Sequence, residues 1–447
     1  MNSAKPKRPG RSLSEIRIRY STPLRGEIIP PPDKSISHRA VILSSLAEGT
    51  SVIRNFLFAE DPVSTVNAFR QMGAEIKIEG QGTRGRGQET KIIINGKGLS
   101  GLSAPEAEID CGNSGTTMRL LCGVLSGQPF SATLKGDASL TRRPMKRVME
   151  PLSLMGAAFK SENGYPPLTV TGGYLQPIHY QSPVASAQVK SSVLLAGLYC
   201  DGVTSVTEPE RSRDHTERML KAAGAHLAVD NLTVSVKGRA TLKPSDIIVP
   251  NDFSSAAFFM TAGILVPGSE ILIKNVGINP TRTGLLEILR SMGAEISLEN
   301  EREVSGEPVA DIHVRHTPLK GIEVSGDMVP KTIDEFPILC VAAALAQGHT
   351  KITGAKELRV KESDRITTMS NALKKMGISV EELEDGLIIE GRERLKPATI
   401  QSCGDHRIAM SMAIAGLRAD GETTVLDTDC IKTSFPGFME LLETLQK

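Results

Sequence analysis

Six short segments of this chain share one design: LAEGTSVI, LSGQPFSATL, YCDGVTSV, LVPGSEIL, LAQGHTKI and RADGETTV. In each, an apolar helical stretch stops, a glycine turns the chain, and a β-prone segment follows. The turn glycines are Gly49, Gly127, Gly202, Gly268, Gly348 and Gly421, at intervals of roughly 65 to 80 residues. An offset series reads RQMGAEIKI, SLMGAAFKS, KAAGAHLAV, RSMGAEISL and KKMGISVEE. It places Gly73, Gly156, Gly224, Gly293 and Gly377 at the ends of a second set of helices. A sixth helix of that set, FMELLETLQ, closes the chain without its glycine. Glycine just past a helix end supplies the left-handed residue that stops it. Self-similarity at a fixed spacing means stacked copies of one supersecondary unit. The unit here is helix–strand–helix–strand with more β structure after it, so the fold class is α/β.

Six repeats divide three and three, and 447 residues are enough for two or more domains. Two Pro-bearing stretches mark the crossings, Pro30-Pro31-Pro32 and Val249-Pro250-Asn251-Asp252. The expectation is a discontinuous domain of residues 1–31 plus 252–447, carrying both termini, and an inserted domain of residues 32–251. The N-terminal EIRIRY alternates like a strand. It is expected to return to the later repeats and supply the strand that the truncated sixth unit lacks. With 40% apolar residues, no Trp and 4% aromatics, the cores should be aliphatic.

The helices ending at the first glycine series begin KSISHRA, NSGTTMR, SAQVKSS, DFSSAAF, DEFPILC and DHRIAMS, and are apolar over most of their length. That pattern buries them between sheets and other helices. N-capping selects Ser, Asn and Asp at such starts and accounts for Asp252, Ser186 and part of Asp334. It does not account for Lys34, Arg39 and Arg407, because a cation in the first turns opposes the helix dipole. A bound anion does, since the free N–H groups and the dipole favour the same ligand. The second helix series repeats the pattern. Arg142, Arg143, Arg211, Arg213, Arg282, Lys361, Arg365 and Lys432 sit at or just before its starts. Roughly parallel helices would gather these ends on one face. Two such faces opposed across a hinge make a positive cleft in a protein of net charge +1. Such a cleft suits small, multiply anionic ligands such as phosphates and carboxylates.

Several chemistries are excluded. No GxxxxGK[ST] occurs, so there is no P-loop. GxGxxG strings start at Gly80 and Gly96, but neither runs from a strand into a long helix, and the first reads as a hairpin loop. No HExxH or GxSxG is present, and His313 and His316, three apart in a strand-like stretch, face opposite sides. The near-neutral charge gives no attraction to nucleic acid or acidic membrane. The longest apolar run, Ile338 to Ala346, is far short of the roughly 20 residues that span a bilayer. The basic N-terminus lacks the apolar core of a secretory signal and reads as a polar tail or a short transit-like leader. Six scattered cysteines without a CxxC pair fit a reducing cytoplasm. The proton-transfer candidates left are carboxylates and lysines, notably Asp334, Glu362 and Lys34.

PPDKSISHRA, DCGNSGTTMRLL, DASLTRRPM, ASAQVKSSVLLAGL, IDEFPILCVAAA, LRVKESDRI, GDHRIAMSMAIAGL and IKTSFPGF together resemble the 5-enolpyruvylshikimate-3-phosphate synthase family. The matches run in family order from about Pro23 to Phe438. Arg213-Asp-His215-Thr-Glu217, Ser186-Ala-Gln188-Val-Lys190 and Asn279-Pro-Thr-Arg282 resemble its class II subgroup, from which Pro32 departs where Gly is usual. The resemblance implies two domains of three βαβαββ units, with helix N-termini facing an interdomain cleft. It also implies transfer of the enolpyruvyl group of phosphoenolpyruvate to the 5-hydroxyl of shikimate 3-phosphate. No metal or organic cofactor, no nucleic acid and no membrane take part, and a cytoplasmic monomer is expected.

For shikimate 3-phosphate, the implied contacts are Lys34, Ser35, Arg39, Ser186, Ala187, Gln188, Arg213, Asp334 and Lys361. For phosphoenolpyruvate they are Lys34, Asn113, Gly115, Arg143, Gln188, Arg365, Arg407 and Lys432. Asp334 is to accept the hydroxyl proton, and Glu362, with Lys34 sharing the work, to protonate C3. Taken singly, Asp334 reads as an N-cap and Glu362 as a capping carboxylate; the whole motif set makes both catalytic. His38 and His406 read as structural hydrogen-bonders, and Cys111 as a packing residue. Gly115 points towards glyphosate sensitivity, the subgroup resemblance towards tolerance. The rival readings are the enolpyruvyl transferase acting on UDP-N-acetylglucosamine, an RNA-end-processing relative with a similar unit, and a non-catalytic anion-binding relative. The first usually carries a reactive Cys on a mobile loop and an Asn after its first Lys. Here DASLTRRP holds no Cys, and Ser35 follows Lys34.

Overall fold

The structure, a computed structural model, describes residues 14–80 and 90–446. The basic tail and most of the first GxGxxG string lie outside the described residues. The strands flanking that string, Glu75–Glu79 and Lys91–Lys97, pair antiparallel.

The described strands form six small sheets, one for each repeat. The second repeat shows the plan. Strand Ile109–Asp110 leads into helix Gly115–Ser126, then the parallel strand Ser131–Lys135, helix Lys146–Leu154, and the antiparallel pair Ala158–Glu162 and Tyr165–Thr171. The crossings alter this plan in two places. Asp246–Ile248, at the end of the middle segment, pairs parallel with Glu48–Arg54 and gives the first repeat its leading strand. Arg25–Ile28, before the first crossing, does the same for Glu270–Gly277 of the fourth. Among the described residues, the sixth repeat reaches its second helix, Phe438–Leu445, without the hairpin that follows it in the others. Glu15–Ile18, the start of EIRIRY, pairs antiparallel with its strand Thr423–Leu426 and fills that place.

All five glycines of the offset series have positive φ, as helix stops require. Of the first series, Gly127 is the exception, with φ −91°. A Cβ there would lie 2.1 Å from Cγ of Tyr199, so close packing excludes a side chain at that position.

Apolar side chains collect in two cores. One is built from residues between Ile36 and Val249, the other from Ile18–Ile28 together with Phe253–Leu445. In the second, helix Phe253–Leu265 is buried at every residue and packs on helices Phe336–Ala344 and His406–Gly416. Each of the three therefore lacks a solvated face. This core is not purely aliphatic. Phe258, Phe259, Phe435 and Phe438 form a cluster with ring centroids 5.5 to 6.0 Å apart, mostly edge to face. The two crossings bond to each other: Asp33 N–H donates to Pro250 O at 2.8 Å, and Asp252 N–H to Pro31 O at 2.8 Å. Among the described residues, no helix is long and apolar enough to cross a membrane.

Candidate active site

Capping fixes the helix starts. Asp33 accepts the Ile36 N–H, Ser114 that of Thr117, Ser186 that of Val189, Asp252 those of Ser254 and Ser255, and Asp405 that of Arg407. The start of each of the six buried helices reaches one cavity of about 190 Å³. Lys34, Gly115, Ala187, Asp252, Asp334 and Arg407 represent the six on its wall. Three come from each core, so the cavity lies between the two halves of the molecule.

Two carboxylates on the half that contains Phe253–Leu445, the far half, sit among cations; the near half is the one built from residues between Ile36 and Val249. Asp334 meets Arg213 from the near half, Arg407 Nη2 at 3.2 Å and Arg365 Nη1 at 3.6 Å. Burial works to raise its pKa, but Arg213, Arg407 and Arg365 overcome it and hold the group well below the usual carboxylate range. Its side chain does not cap the helix that follows. Glu362 pairs with Arg365 Nη2 at 2.7 Å and with Arg143 Nη1 of the near half at 3.4 Å. Burial again opposes the shift, and Arg365 and Arg143 hold this carboxyl well below its ordinary value. The cap of its neighbouring helix is Asp364. Lys34 Nζ pairs with Asp61 Oδ2 at 3.0 Å.

Of the residues singled out from sequence, Lys34, Ser35, Arg39, Gly115, Arg143, Ser186, Ala187, Gln188, Arg213, Asp334, Lys361, Glu362 and Arg407 all line the cavity. Arg365 lies behind the wall, 1% exposed, bound to Asp405 through Nε at 2.8 Å. Asn113 also stands behind it: its Oδ1 accepts from Arg143 Nη2 at 2.6 Å, so it orients that guanidinium. Lys432 is not on the wall. A 3₁₀ turn, Thr428–Thr433, sets it beside Asp429, which it binds at 2.7 Å with its side chain 65% exposed. Arg142 and Arg211 do not line the cavity either.

Arg119 and Asp61 line it without having been singled out. Arg119 Nη1 donates to Gln188 Oε1 at 2.7 Å, and burial, with Arg143 nearby, pushes its pKa down to about 10. Its signal was available, a cation inside the apolar run of NSGTTMRLL. His38 hydrogen-bonds Thr65 Oγ1 at 2.7 Å and lies off the wall. His406 is on it, with a buried Nε2 that has no protein partner. Burial, then Lys34 and Arg407, keep His406 neutral. Cys111 is packed in the core. Among the described residues, no three His, Cys, Asp or Glu side chains converge as a metal set.

Six repeats closed by swapped strands, with every buried helix aimed at a cationic cleft, define the enolpyruvyl transferase fold. The family model described as EPSP synthase (3-phosphoshikimate 1-carboxyvinyltransferase) matches residues 18–442, and the chain belongs to that family. It is 56% identical over 433 residues to the 3-phosphoshikimate 1-carboxyvinyltransferase of Geotalea uraniireducens, covering 96% of this chain and 99% of that one. The corresponding protein of Thermodesulfovibrio yellowstonii is 54% identical over 434 residues, with the same coverage. A solved EPSP synthase from Acinetobacter baumannii superposes with a TM-score of 0.84 at 48% identity, covering 96% of this chain and 98% of that one.

Proposed function

We propose that this protein transfers the enolpyruvyl group of phosphoenolpyruvate to the 5-hydroxyl of shikimate 3-phosphate and releases phosphate, in chorismate and aromatic amino-acid biosynthesis. The observation that carries this reading is the pair Asp334 and Glu362, set among guanidinium groups on a cavity that all six helix starts share. Lys34, Ser35, Arg39, Ser186, Ala187, Gln188, Arg213 and Lys361 take shikimate 3-phosphate. Lys34, Gly115, Arg143, Gln188, Arg365 and Arg407 take phosphoenolpyruvate, with Asn113 behind Arg143. The units 1–31 plus 252–447 and 32–251 close about the paired crossings and exclude water. That closure must also bring in Lys432. The protein acts as a cytoplasmic monomer.

The 5-hydroxyl attacks C2 of phosphoenolpyruvate, its proton passes to Asp334, and C3 gains a proton from Glu362. The tetrahedral ketal phosphate then gives a C3 proton back to Glu362 as its C2–O bond to phosphate breaks, which re-forms the C2–C3 double bond. The guanidinium groups hold the charge of the departing phosphate. Both carboxyls now occupy cations that the substrates' phosphates and carboxylate would compete for. As substrate anions take Arg213, Arg407 and Arg143, the depression of both pKa values is relieved. Asp334 becomes a better base, and Glu362 becomes able to hold the proton it must give.

Phosphate release by the purified protein tests this. Release that needs both substrates is the expected result; release with UDP-N-acetylglucosamine as the only effective acceptor would overturn the assignment. A second expectation concerns Gly115. A Cβ there would lie 2.8 Å from Arg119 Nη1 and 3.4 Å from Arg143 Nη1. Gly115→Ala must displace the end of the Arg119 guanidinium and sets a methyl against that of Arg143, so KM for phosphoenolpyruvate should rise roughly tenfold, as overpacking by a methyl costs. KM for shikimate 3-phosphate should move much less. Steady-state kinetics with each substrate varied in turn checks the contrast.

A further inference from the structure

Lys190 lies on the apolar helix Ala187–Gly197 and is 2% exposed. A lysine there needs partners, and it has two: Glu208 Oε2 and Glu217 Oε1, each at 2.7 Å. Burial opposes its charge, but the two carboxylates keep the ammonium protonated. Glu208 does more than balance this charge. Its Oε1 accepts the Ser186 N–H at 2.8 Å, and its carboxylate accepts the Ser212 hydroxyl at 2.7 and 2.8 Å to the two oxygens. Ser186 caps the helix start that carries Ala187 and Gln188 to the cavity, and Ser212 directly precedes Arg213. One buried carboxylate, 4% exposed, thus ties together two wall segments that come from different turns of the chain. Helices Ala187–Gly197 and His215–Ala222 continue the network to a third segment. Arg39 Nε donates to Thr216 Oγ1 at 2.6 Å and Nη2 to Ser191 Oγ at 2.9 Å.

We propose that Glu208, neutralised by Lys190, is a positioning residue for the acceptor substrate: it sets the spacing between the Ser186–Gln188 helix start and the Ser212–Arg213 turn that together hold shikimate 3-phosphate. The inference rests on the function proposed above. It bears mainly on one substrate: neither Glu208 nor Lys190 contacts Arg143, Arg365 or Arg407. Gln188, the residue of these segments that also serves phosphoenolpyruvate, has its side-chain amide held independently, accepting from Arg119 Nη1 at 2.7 Å and donating to Thr116 Oγ1 at 2.9 Å.

The test is Glu208→Gln, which keeps the shape and one acceptor oxygen but removes the charge. KM for shikimate 3-phosphate should rise about tenfold, the scale of a lost hydrogen bond to a charged group. KM for phosphoenolpyruvate should stay within about twofold, and calorimetric affinity for shikimate 3-phosphate alone should fall in parallel. Unchanged shikimate 3-phosphate kinetics, or equal rises in both KM values, would overturn the proposal. If circular dichroism shows Glu208→Gln unfolded, Ser212→Ala gives the same reading, since it removes one tie and leaves the ion pair. That variant should show the same split at smaller amplitude, and parental values for both substrates would overturn the proposal. A parent protein that releases no phosphate from the two substrates overturns the proposed function and this inference together. An active parent with no split in the variant overturns this inference alone.

Discussion

Replacing Asp334 by Asn should lower turnover by about 10²–10⁴-fold, the range that positioned proton transfer contributes, while shikimate 3-phosphate still binds. The substitution keeps the side chain's volume and one acceptor oxygen but removes the negative charge. Arg213, Arg407 and Arg365 then lose their shared partner. Arg213 and Arg407 are relieved of this carboxylate beside a multiply anionic substrate, while Arg365 keeps Glu362 and Asp405, so affinity should stay within a few-fold of the parent or tighten. A merely structural Asp334 would give the opposite pattern, with binding and thermal stability lost together. The measurements are kcat by phosphate release and the shikimate 3-phosphate dissociation constant by calorimetry. Turnover within tenfold of the parent would remove Asp334 from the chemistry. Glu362→Gln should likewise lower kcat, because the amide has no proton to deliver to C3.

The repeat, the crossings and the charge of the cleft were legible because each violates a local rule. Lys34, Arg39 and Arg407 are cations where a helix dipole disfavours them, and all three are on the cavity wall. Arg119, fifth in helix Gly115–Ser126 where Arg39 is sixth in Lys34–Leu46, broke the same rule at the same depth, but inside an apolar run where a long side chain passes for one reaching to solvent. Asp61 broke none: an acid in the first turn of Glu60–Gln71 suits the dipole. Only the structure shows that it holds Lys34. Lys432 departs from its expected place in the other direction. Its motif matched, yet its place depends on a turn that directs it to Asp429. Glycine grammar found the helix stops but not the reason for Gly127, which is the Tyr199 ring. Packing across hundreds of residues leaves no local signature, and the Phe cluster between Phe258 and Phe438 is a further case.

Arg282 should prove the most costly single cation to remove, because it joins the two crossings. Its Nη1 meets Asp33 Oδ2 at 3.2 Å and its Nη2 meets Asp252 Oδ1 at 3.2 Å, and all three side chains are buried. Those two aspartates cap the first helix after each crossing. Burial pushes both carboxyls up. For Asp33, Arg282 reverses this and brings the pKa down to about 2. For Asp252, burial and the neighbouring Asp33 prevail over Arg282 and leave it at about 6. The signs differ accordingly. The Asp33 contribution is present above its unfolded pKa of 3.8 and is lost as pH falls towards 2. Asp252 holds a proton that the unfolded chain has released, so its contribution declines as pH rises from about 4 to 6. Arg282→Met leaves two adjacent buried carboxylates with no cation between them, and a broken buried pair costs about 3–5 kcal/mol. The loss should be greatest near neutral pH, where both groups must ionise. It should shrink by at least about 1 kcal/mol near pH 5, since protonation relieves the repulsion and each unit of pKa shift is worth about 1.4 kcal/mol. Urea unfolding of parent and variant at the two pH values measures both terms. A deficit below about 1 kcal/mol at neutral pH, or one that does not change with pH, would show that Arg282 does not hold the crossings together.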